Sequence, residues 1–399
     1  MLLVREVSGP ATAAIDEHVT YSVTSFNREP KRGEDGAVNW LVKSTDGAAL
    51  LSETKLGSEL TLRIPETWAG KTAIVMPYVN SPSATVSVRT IVADRPGAGT
   101  GGSARDVKVM REKGGRWYAS VDDEPRFYLG TRVRYKERRG LMNWANPPGD
   151  RYRSEDYEGV HGQWAWYLRP TITCESNGFF TCLNTYDRAR FTFGHLQLAA
   201  HTPDENFVAF FREILQQLPT AIEYFSDLTV RSGRIHRITD TGPVALESSN
   251  ATTALMNYLN PTPDEVDEIE AERAARFVDW CLRDPGMRAK QVEFGVRQTQ
   301  GKLRSYAKRL PLHGLVDKLC LVVLDILHQG RGGRTAYSKI EAALGADNSF
   351  DALLSIGASE YGERIGTLRA GIRDLEALGK VGRLVYDKAS GDFVIPPGA

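Results

Sequence analysis

Hydrophobic and polar residues alternate with period two over the first 95 residues. This alternation predicts β-strands, because successive side chains of a strand point to opposite faces of a sheet. Turn-forming clusters such as GEDG, STDG and NSPS separate the alternating segments. The predicted strands cover residues 18–26, 38–44, 59–64, 72–79 and 84–92. Short strands at this spacing predict an antiparallel β-sandwich over residues 1–95.

A stretch rich in glycine, serine and proline follows, with the sequence ADRPGAGTGGSA at residues 94–105. This composition predicts a flexible linker, which we place at residues 96–106. Residues 107–155 alternate again in segments such as VKVM and RFYLGTRVRYK and end in the polar NWANPPGDR. They predict a small β extension that packs against the part of the chain that follows.

Helical periodicity dominates residues 156–399, which therefore form a predicted, mainly α-helical domain. Thr202, Pro203 and Glu205 match a helix N-cap, a first-turn proline and a capping-box acid. An apolar stripe at helical spacing begins at Phe207. We therefore expect an amphipathic helix directly after this start signal.

Further helices are predicted towards the C-terminus. Thr262, Pro263 and Glu265 repeat the start signal ahead of a helix that should end near Arg283, where the sequence Asp-Pro-Gly interrupts it. The segment Leu315–Leu327 is apolar almost all round, which is typical of a buried central helix. Weaker patterns predict one or two helices within residues 349–378 and a terminal hairpin at residues 383–395.

Length and composition fit two or three soluble domains. The chain has 399 residues, and its 41% hydrophobic and 25% charged residues are those of an ordinary globular protein. Lys plus Arg and Asp plus Glu both number 50, so bulk charge would not hold the chain to nucleic acid. No apolar run approaches the roughly twenty residues of a membrane span, and the N-terminus lacks the basic lead-in of a Sec signal peptide. We therefore expect no nucleic-acid partner, no membrane span and no Sec signal.

Two carboxylates in the stretch ITCESNGFFTCLNTYDRARFTFGHLQLAAHTP are the strongest candidates for chemistry. Glu175 follows the aromatic sequence WAWYLRPTIT, where burial would raise its pKa and keep it protonated as a general acid. Asp187 lies at the charged tip of a predicted hairpin that could project it toward Glu175. Two carboxylates with unlike surroundings are what glycosidic bond cleavage requires. The alternatives are a solvated Glu175 and an Asp187 that only caps its turn or pairs with Arg188 or Arg190.

Side chains near the two acids are candidates for binding a sugar. Thr192 could orient a water molecule, and His195 or Gln197 could hydrogen-bond sugar hydroxyls, or each could be only a strand or core residue. Arg331, in the Gly-rich loop HQGRGGR, could face an anionic ligand or belong to a helix C-cap. The predicted catalytic residues are Glu175, Asp187 and Thr192, and the predicted substrate-binding residues are Trp166, Tyr186, His195, Gln197 and Arg331.

Other site chemistries have weaker support in the sequence. His195, His201 and Asp204 fit no defensible zinc spacing, and the chain has no GxSxG nucleophile elbow. The Gly-rich loop lacks the Lys-Ser/Thr of a phosphate-binding loop. We therefore predict no metal and no cofactor. The four cysteines are too few for a disulfide scaffold, and Cys174 and Cys182 are either buried thiols or a single bridge.

The order of these features resembles the lysozyme-like superfamily of glycoside hydrolases, which includes phage-type and goose-type lysozymes, pesticin-like muramidases and chitosanases. The resemblance rests on Glu-Ser after an apolar helical stretch, then an acid, an aromatic-Thr-x-Gly strand, a polar residue and a helix, within about residues 160–345. It implies that the Glu closes a helix and acts as the acid, while a small β-sheet beside the cleft supplies the second acid or Thr. Glu175, Asp187 and Thr192 are the matching positions, although the gap between the acids is somewhat longer than in phage lysozymes.

The N-terminal segment, with the phrases VTSFN and WAGK, resembles immunoglobulin-like modules that precede toxin domains in type VI secretion effectors. This resemblance implies a protein that is made in the cytoplasm, is carried out by a secretion apparatus and acts in the periplasm of target bacteria. An immunity protein would be a further partner, and a Cys174–Cys182 bridge would suit that compartment. The predicted fold class is thus an all-β immunoglobulin-like sandwich followed by a mainly α, lysozyme-like α+β domain.

These features lead to three functional hypotheses. The first is a muramidase that hydrolyses the β-1,4 link of peptidoglycan, with Glu175 as acid and Asp187 as electrostatic stabiliser, base or nucleophile. The second is a lytic transglycosylase, which needs only the Glu, or a chitosanase. The third, of another class, is a non-catalytic adaptor that binds a component of a secretion machine or a phage tail.

Overall fold

The computed structural model describes residues 2–10, 12–13, 17–31, 33–44, 49–51, 57–68, 71–80, 82, 86–92 and 104–396. A β-rich N-terminal region with several sheets precedes a mainly helical C-terminal region. The chain divides into two compact units, one comprising Met1–Asp106 and Phe211–Ala254 and the other Val107–Phe210 and Leu255–Ala399. The segments predicted as a β extension and as a helical domain therefore fall in one unit, apart from Phe211–Ala254.

Two sheets are described in the N-terminal residues. Their strands are β1 (Val4–Ser8), β2 (Thr12–Ala13), β3 (His18–Phe26), β4 (Asn39–Ser44), β5 (Glu59–Arg63), β6 (Thr72–Tyr78) and β7 (Val88–Val92). One sheet has the order β1-β3-β5 and the other the order β2-β7-β6-β4. Buried side chains of both sheets, among them Tyr21, Trp40 and Val75, form one hydrophobic core.

The alternating sequence pattern accounts for this core. In β4 the side chains of Trp40, Val42 and Ser44 are buried, and the residues between them are only half-buried. The structure contains strands at each of the five predicted positions, although the segment 84–92 is described as a strand only over Val88–Val92. Most of the predicted linker at residues 96–106 lies outside the described residues.

A seven-stranded antiparallel sheet forms the β part of the second unit. Its strands are β8 (Val107–Arg111), β9 (Arg116–Val121), β10 (Phe127–Tyr135), β11 (Arg138–Met142), β12 (Leu183–Asn184), β13 (Thr192–Phe193) and β14 (Leu198–Ala199). They lie in the order β14-β13-β12-β11-β10-β9-β8, and Met142 opposite Asn184 joins the two halves. The predicted β extension is therefore continuous with the short strands that carry the Asp187 hairpin.

Helices make up most of the remaining chain. They are α1 (Ser154–His161), α2 (Gln163–Ser176), α3 (Asn206–Gln217), α4 (Ala221–Tyr224), α5 (Thr253–Leu259), α6 (Glu268–Arg283), α7 (Pro285–Tyr306), α8 (Asp317–Gln329), α9 (Ala336–Leu344), α10 (Ser349–Ser355) and α11 (Ala358–Ala377). Among the described residues, no helix has both the length and the apolar character needed to cross a membrane.

Two smaller sheets complete the fold. The strands β15 (Leu228–Arg231), β16 (Arg234–Thr239) and β17 (Gly242–Ala245) form a meander, and β18 (Val385–Asp387) pairs with β19 (Asp392–Val394). The second pair is the predicted terminal hairpin, which turns at Ser390 and Gly391.

The predicted helices differ from those in the structure mainly in the residue at which a helix begins. Helix α6 begins at Glu268 and not directly after Thr262, because the side chain of Asp267 caps it by accepting from the Glu270 amide at 2.7 Å. Thr262 instead donates to that cap at 2.7 Å. Helix α6 ends at Arg283, as predicted. The structure adds α7 directly beyond it, because the Asp284 side chain caps this new helix by accepting from Gly286.

Helix α8 confirms the predicted buried central helix. Its residues from Leu319 to Ile326 are buried, and Gly330 ends it with a φ of 76°, a conformation that glycine adopts without strain. Helix α2 is the other central element, because it packs against α1, α7 and α11. In the same unit, the rings of Phe191, Phe207 and Phe277 pack in a cluster with centroids 5.1–5.3 Å apart. The packing of α2 against α1, α7 and α11 positions its C-terminal end, which carries Glu175, in the second unit.

Candidate active site

Glu175 lies in the last turn of α2, next to the short strands of the seven-stranded sheet. The chain leaves the helix through Asn177 and Gly178, both with positive φ, and then enters the sheet. The hydroxyl of Ser176 donates to the His195 carbonyl at 2.8 Å. This bond ties the residue beside Glu175 to the turn between β13 and β14, so the helix end and this turn form one site.

The Glu175 carboxylate belongs to a buried group of charges. Its Oε1 lies 2.8 Å from Arg364 Nη2 and 3.2 Å from His328 Nε2. Arg364 Nη2 also lies 2.7 Å from Asp325 Oδ1, and Arg331 Nη2 lies 2.9 Å from Asp325 Oδ2. We call these five residues the Glu175 cluster. It joins the end of α2 to α8, to the loop after α8 and to α11.

The pKa of Glu175 is lowered, which is opposite to the raised pKa expected from the sequence. Burial, with 11% of the side chain exposed, acts to raise the pKa. The nearby His328 and Arg364 act in the other direction and outweigh burial. Apolar, aromatic surroundings were expected, but the structure places a guanidinium and an imidazole against the carboxylate. Glu175 is therefore held as an anion at neutral pH.

Asp187 lies in the turn between β12 and β13 and is half-buried. Its Oδ1 accepts from the Ala189 amide at 2.7 Å, and its carbonyl accepts from Arg138 Nη1 at 2.9 Å. The side chain thus caps its own turn, which was the structural alternative for this residue. Among the described contacts, no ion pair or hydrogen bond joins the Asp187 carboxylate to the Glu175 cluster.

Thr192 and His195 are both buried beside the end of α2. The Thr192 hydroxyl lies in β13 and has no hydrogen-bond partner among the described residues. The His195 ring has its Nδ1 3.0 Å from Gln291 Oε1 and stacks on Tyr152 with centroids 5.8 Å apart. Burial lowers the pKa of His195 to about 4, so the ring is neutral. His195 therefore has the surroundings of a core residue, and Thr192 has a hydroxyl available for a further partner.

Gln197 and Tyr186 are only partly buried. The Gln197 amide donates to the carbonyls of Cys182 and Gly194 at 3.1 and 2.9 Å, and its Oε1 accepts from Trp144 Nε1 at 3.2 Å. The turn therefore fixes Gln197 beside Trp144, which is 45% exposed. Tyr186 is half-buried and contacts the ring of Tyr135 at a centroid distance of 6.3 Å.

Trp166 and Arg331 are buried, which differs from the exposure that substrate binding needs. Trp166 is packed in α2, and the Lys380 ammonium lies 4.3 Å from the centroid of its ring. Arg331 is 0% exposed, pairs with Asp325 and donates to the Ile356 carbonyl at 2.9 Å. Its guanidinium is thus an internal part of the Glu175 cluster and does not line a surface that could bind an anionic ligand.

The four cysteines are free thiols in the structure. The Cys174–Cys182 bridge that the sequence left open is not formed. Burial raises the pKa of Cys174 to about 12 and also raises that of Cys182, so neither is a thiolate at neutral pH. The described residues also contain no group of three or more His, Cys, Asp or Glu side chains that could hold a metal ion.

A small pocket adjoins the Glu175 cluster between α2, α7 and α8. Its volume is about 20 Å³, so it has room for about one water molecule. Tyr167 and Thr171 line one side, and Lys302, His328 and Leu324 line the others. His328, which is 21% exposed, belongs both to the pocket and to the cluster and thus connects Glu175 with this space.

The sequence missed the two partners of Glu175, which are His328 and Arg364, and the residues that contact these partners. His328, Arg364, Asp325 and Lys302 lie far from Glu175 along the chain, and no local motif links them to it. The one available signal was the loop HQGRGGR, whose first residue is His328. The residue emphasised in that loop, Arg331, contacts Asp325 and not Glu175.

Comparisons with protein-family models, with curated proteins and with solved structures found no match for this chain.

Proposed function

We propose that the protein is a peptidoglycan-cleaving glycoside hydrolase of the muramidase class, in which Glu175 delivers the proton to the β-1,4 glycosidic oxygen. The observation that carries this proposal is the position of Glu175. It is a buried carboxylate in the last turn of α2, beside a small set of short strands and a pocket. A perturbed, buried carboxylate next to such a space is typical of a site that performs proton transfer.

The proposed fold and biology follow the two sequence resemblances. The N-terminal sheets would form an immunoglobulin-like sandwich, and the second unit would be a lysozyme-like domain. Two observations support these assignments. The first two sheets share one hydrophobic core, and Glu175 lies where helix α2 ends beside the short strands. The protein would then be an antibacterial effector that acts on peptidoglycan in a target periplasm, with a secretion apparatus and an immunity protein as partners.

The lowered pKa of Glu175 sets a condition on this chemistry. A general acid must carry a proton when the bond breaks, and Arg364 and His328 favour the anion in the free protein. The Glu175 carboxylate must therefore take up a proton as substrate binds and water leaves, because loss of solvent favours the neutral acid. Thr192, whose hydroxyl has no partner among the described residues, would position the attacking water. Asp187 would act from its turn as the electrostatic stabiliser, base or nucleophile.

The test of the proposal compares Glu175→Gln with Glu363→Gln, which changes an exposed glutamate on α11. Purified peptidoglycan is incubated with each protein, and soluble fragments are measured by mass spectrometry. We expect wild type and E363Q to release fragments with reducing ends, and E175Q to lose activity by about 100-fold or more. Circular dichroism checks that E175Q is folded. Full activity of folded E175Q would refute the assignment.

The chemical structure of the released fragments also distinguishes the alternative enzymatic activities. Anhydro-sugar ends would identify a lytic transglycosylase, and glucosamine oligomers released from chitosan would identify a chitosanase. Either outcome keeps Glu175 as the acid but changes the reaction class.

A non-catalytic adaptor is a second candidate, and one observation favours it. Glu175 is occupied by two internal partners, the Arg364 guanidinium and the His328 imidazole, and the adjoining pocket of about 20 Å³ is far smaller than a sugar ring. An adaptor would release no sugar from peptidoglycan but would retain a component of a secretion machine or phage tail in a pulldown. E175Q would bind that component as well as wild type does.

A further inference from the structure

Two buried polar side chains face each other in the seven-stranded sheet. Asn184 in β12 lies directly opposite Thr192 in β13, and Met142 in β11 lies opposite Asn184 on its other side. Residues directly opposite each other point to the same face of a sheet, with their Cβ atoms about 5 Å apart. Asn184 is 5% exposed and Thr192 is 4% exposed, yet Asn184 Oδ1 and Thr192 Oγ1 have no hydrogen-bond partner among the described residues. A buried polar atom without a partner is unfavourable, so a ligand that hydrogen-bonds to it is stabilised.

The same face of the sheet extends along β10 and β11. Arg138 lies four residues before Met142 and directly opposite Tyr135, so all three side chains point to this face. Tyr135 is 52% exposed, and the centroid of its ring lies 6.3 Å from that of Tyr186, which follows β12. An exposed aromatic ring gives the apolar C–H face of a sugar a surface on which to pack, while its hydroxyl can bind a polar edge. The two tyrosines therefore form an aromatic rim beside the buried polar pair.

Two arginines near this rim have no carboxylate partner among the residues that the structure describes. Arg138 Nη1 donates to the Asp187 carbonyl at 2.9 Å, and the backbone amide of Arg190 donates to the same carbonyl at 3.2 Å. The Arg190 guanidinium donates to Asn257. Burial and the nearby Arg138 lower the pKa of Arg190. Two half-buried positive charges therefore lie close together at this end of the face.

The charges around these arginines are unbalanced. Asp187 is the one acid in the chain between β12 and β13, and its Oδ1 accepts from a backbone amide of its own turn at 2.7 Å. Arg188 in this turn has its Nη2 2.9 Å from His201 Nε2. The neighbouring turn between β10 and β11 adds Lys136 and Glu137, whose charges offset each other. Three guanidinium groups around a single carboxylate leave an excess of positive charge, which favours an anionic ligand.

The opposite end of the face approaches Glu175. Trp144, just beyond β11, is 45% exposed, and its Nε1 donates to Gln197 Oε1 at 3.2 Å. Gln197 Nε2 in turn donates to the Cys182 carbonyl at 3.1 Å. Burial and the nearby Glu175 carboxylate raise the pKa of Cys182, which lies two residues before Asn184. A ligand that follows the face from the arginines past Asn184 is therefore led towards Glu175.

We propose that this face binds the sugar of the proposed substrate together with a carboxylate of its peptide stem. Arg138 and Arg190 hold the carboxylate, because a guanidinium presents parallel N–H donors to its two oxygens. Tyr135 and Tyr186 pack against a sugar ring. Asn184 Oδ1 accepts from a sugar hydroxyl or an acetamido N–H. The inference rests on the proposed function, because it takes its ligand from the proposed substrate.

The first test measures binding and needs no activity. One ligand is a peptidoglycan disaccharide with its peptide stem, and the other is the disaccharide of N-acetylglucosamine, which has no carboxylate. Neither contains the bond from muramic acid to the next sugar that a muramidase cleaves. Titration of the wild type followed by NMR gives both affinities. We expect the ligand with the stem to bind about tenfold or more tightly, and added salt to weaken its binding, because salt screens attraction between opposite charges.

Substitutions test whether the binding occurs on this face. Arg138→Gln and Arg190→Gln should each weaken binding of the ligand with the stem about tenfold and leave the neutral disaccharide unaffected. Tyr186→Ala and Asn184→Leu should weaken the binding of both ligands. The matched control is Arg111→Gln, which changes an exposed arginine on β8 at the far edge of the same sheet and should bind as the wild type does. R138K keeps the positive charge and should bind more tightly than R138Q, and circular dichroism checks the fold of each variant.

The outcomes separate this inference from the proposed function. Equal affinities of R138Q, R190Q and R111Q for the ligand with the stem overturn it, as does a neutral disaccharide that binds as tightly as the charged one. Tighter binding of a single-stranded oligonucleotide that the same variants abolish overturns it in favour of a nucleic-acid surface. A wild type that is active on peptidoglycan but binds independently of the arginines overturns the binding face alone. An inactive wild type whose binding depends on them overturns the proposed function and leaves the binding face.

Discussion

Glu175 and Glu270 are both buried glutamates, but their surroundings change their pKa in opposite directions. Glu175 faces Arg364 and His328, which lower its pKa despite burial. Glu270, in the first turn of α6, is 0% exposed, and burial raises its pKa to about 8. Its Oε1 accepts from the Thr185 hydroxyl and from the Leu141 amide, which only partly offset burial. Burial therefore makes the charged form of a carboxylate less favourable, and the neighbouring groups determine whether the carboxylate is nevertheless charged.

The two sites also differ in what they do for the fold. The Glu175 cluster joins helices through charges, whereas Glu270 joins the start of α6 to the sheet through neutral donors. The Glu270 Oε2 has no hydrogen-bond partner among the described residues. A protonated Glu270 carries less buried charge, so its neutral form suits that position. The glutamate that stays charged is the one we propose for chemistry.

Removing a charge from the Glu175 cluster should have the largest effect. Asp325 is 0% exposed and pairs with both Arg331 and Arg364. Asp325→Asn leaves two guanidinium groups without this partner, so we expect the free energy of unfolding to fall by about 3 to 5 kcal/mol. Urea denaturation measures the change.

The matched control is Asp351→Asn, which breaks the half-exposed pair with Arg369. It should lower the free energy of unfolding far less than D325N does, because solvent screens an exposed pair. Equal losses in D325N and D351N would contradict the idea that the cluster depends on buried charge.

The Glu270 site predicts a loss of stability towards alkaline pH. The carboxyl has a pKa of about 8 in the folded protein and an ordinary value of 4.5 when unfolded. The folded state therefore holds the proton more tightly, and its stabilising contribution is full below pH 4.5 and is lost as pH rises to about 8. From pH 6 to 9 the loss is about 2 to 3 kcal/mol.

Glu270→Gln should remove this dependence, because glutamine does not titrate. Urea denaturation at pH 6 and 9 of wild type and E270Q measures the difference between their slopes. For Glu175 we expect the free energy of unfolding to change with pH in the opposite direction. Because its pKa is lowered, its contribution to stability is lost as pH falls below 4.5. A wild type whose stability is equal at pH 6 and 9 would contradict the neutral Glu270.

The sequence predicted the elements whose signals are local. The apolar run Leu315–Leu327 and Gly330 sufficed for α8, and the Asp-Pro-Gly sequence located the end of α6. Helix α7 was missed because its exposed face carries many charged residues and its apolar stripe is interrupted. The strands β12–β14 have two residues each, too few to show a period, so their place in the large sheet was missed.

The candidate site was predictable only in part, for a related reason. That Glu175 closes a helix came only from the resemblance to lysozyme-like proteins, and the structure places it in the last turn of α2. Its pKa could not be predicted, since the guanidinium and imidazole that lower it come from α11 and α8. The local aromatic sequence suggested an apolar environment, but distant charges determine the state of the carboxylate.

The smallest expected effect compares two buried threonines, one at each site. The Thr185 hydroxyl donates to Glu270 and accepts from the Leu141 amide at 2.6 Å, whereas the Thr192 hydroxyl has no partner among the described residues. Thr185→Val should lower the free energy of unfolding by about 1 to 3 kcal/mol, because it leaves the Glu270 carboxyl with one donor fewer. Thr192→Val should change stability by less than about 1 kcal/mol, since no hydrogen bond within the described residues is lost.

The activity of the two threonine variants is a second measurement, which is independent of their stability. If the Thr192 hydroxyl positions the attacking water, T192V should lower peptidoglycan release by about tenfold or more although the protein is as stable as wild type. T185V should lose stability and keep its activity at temperatures where it is folded. A stable T192V with full activity would remove Thr192 from the site and leave proton delivery by Glu175 as the whole of the proposed chemistry.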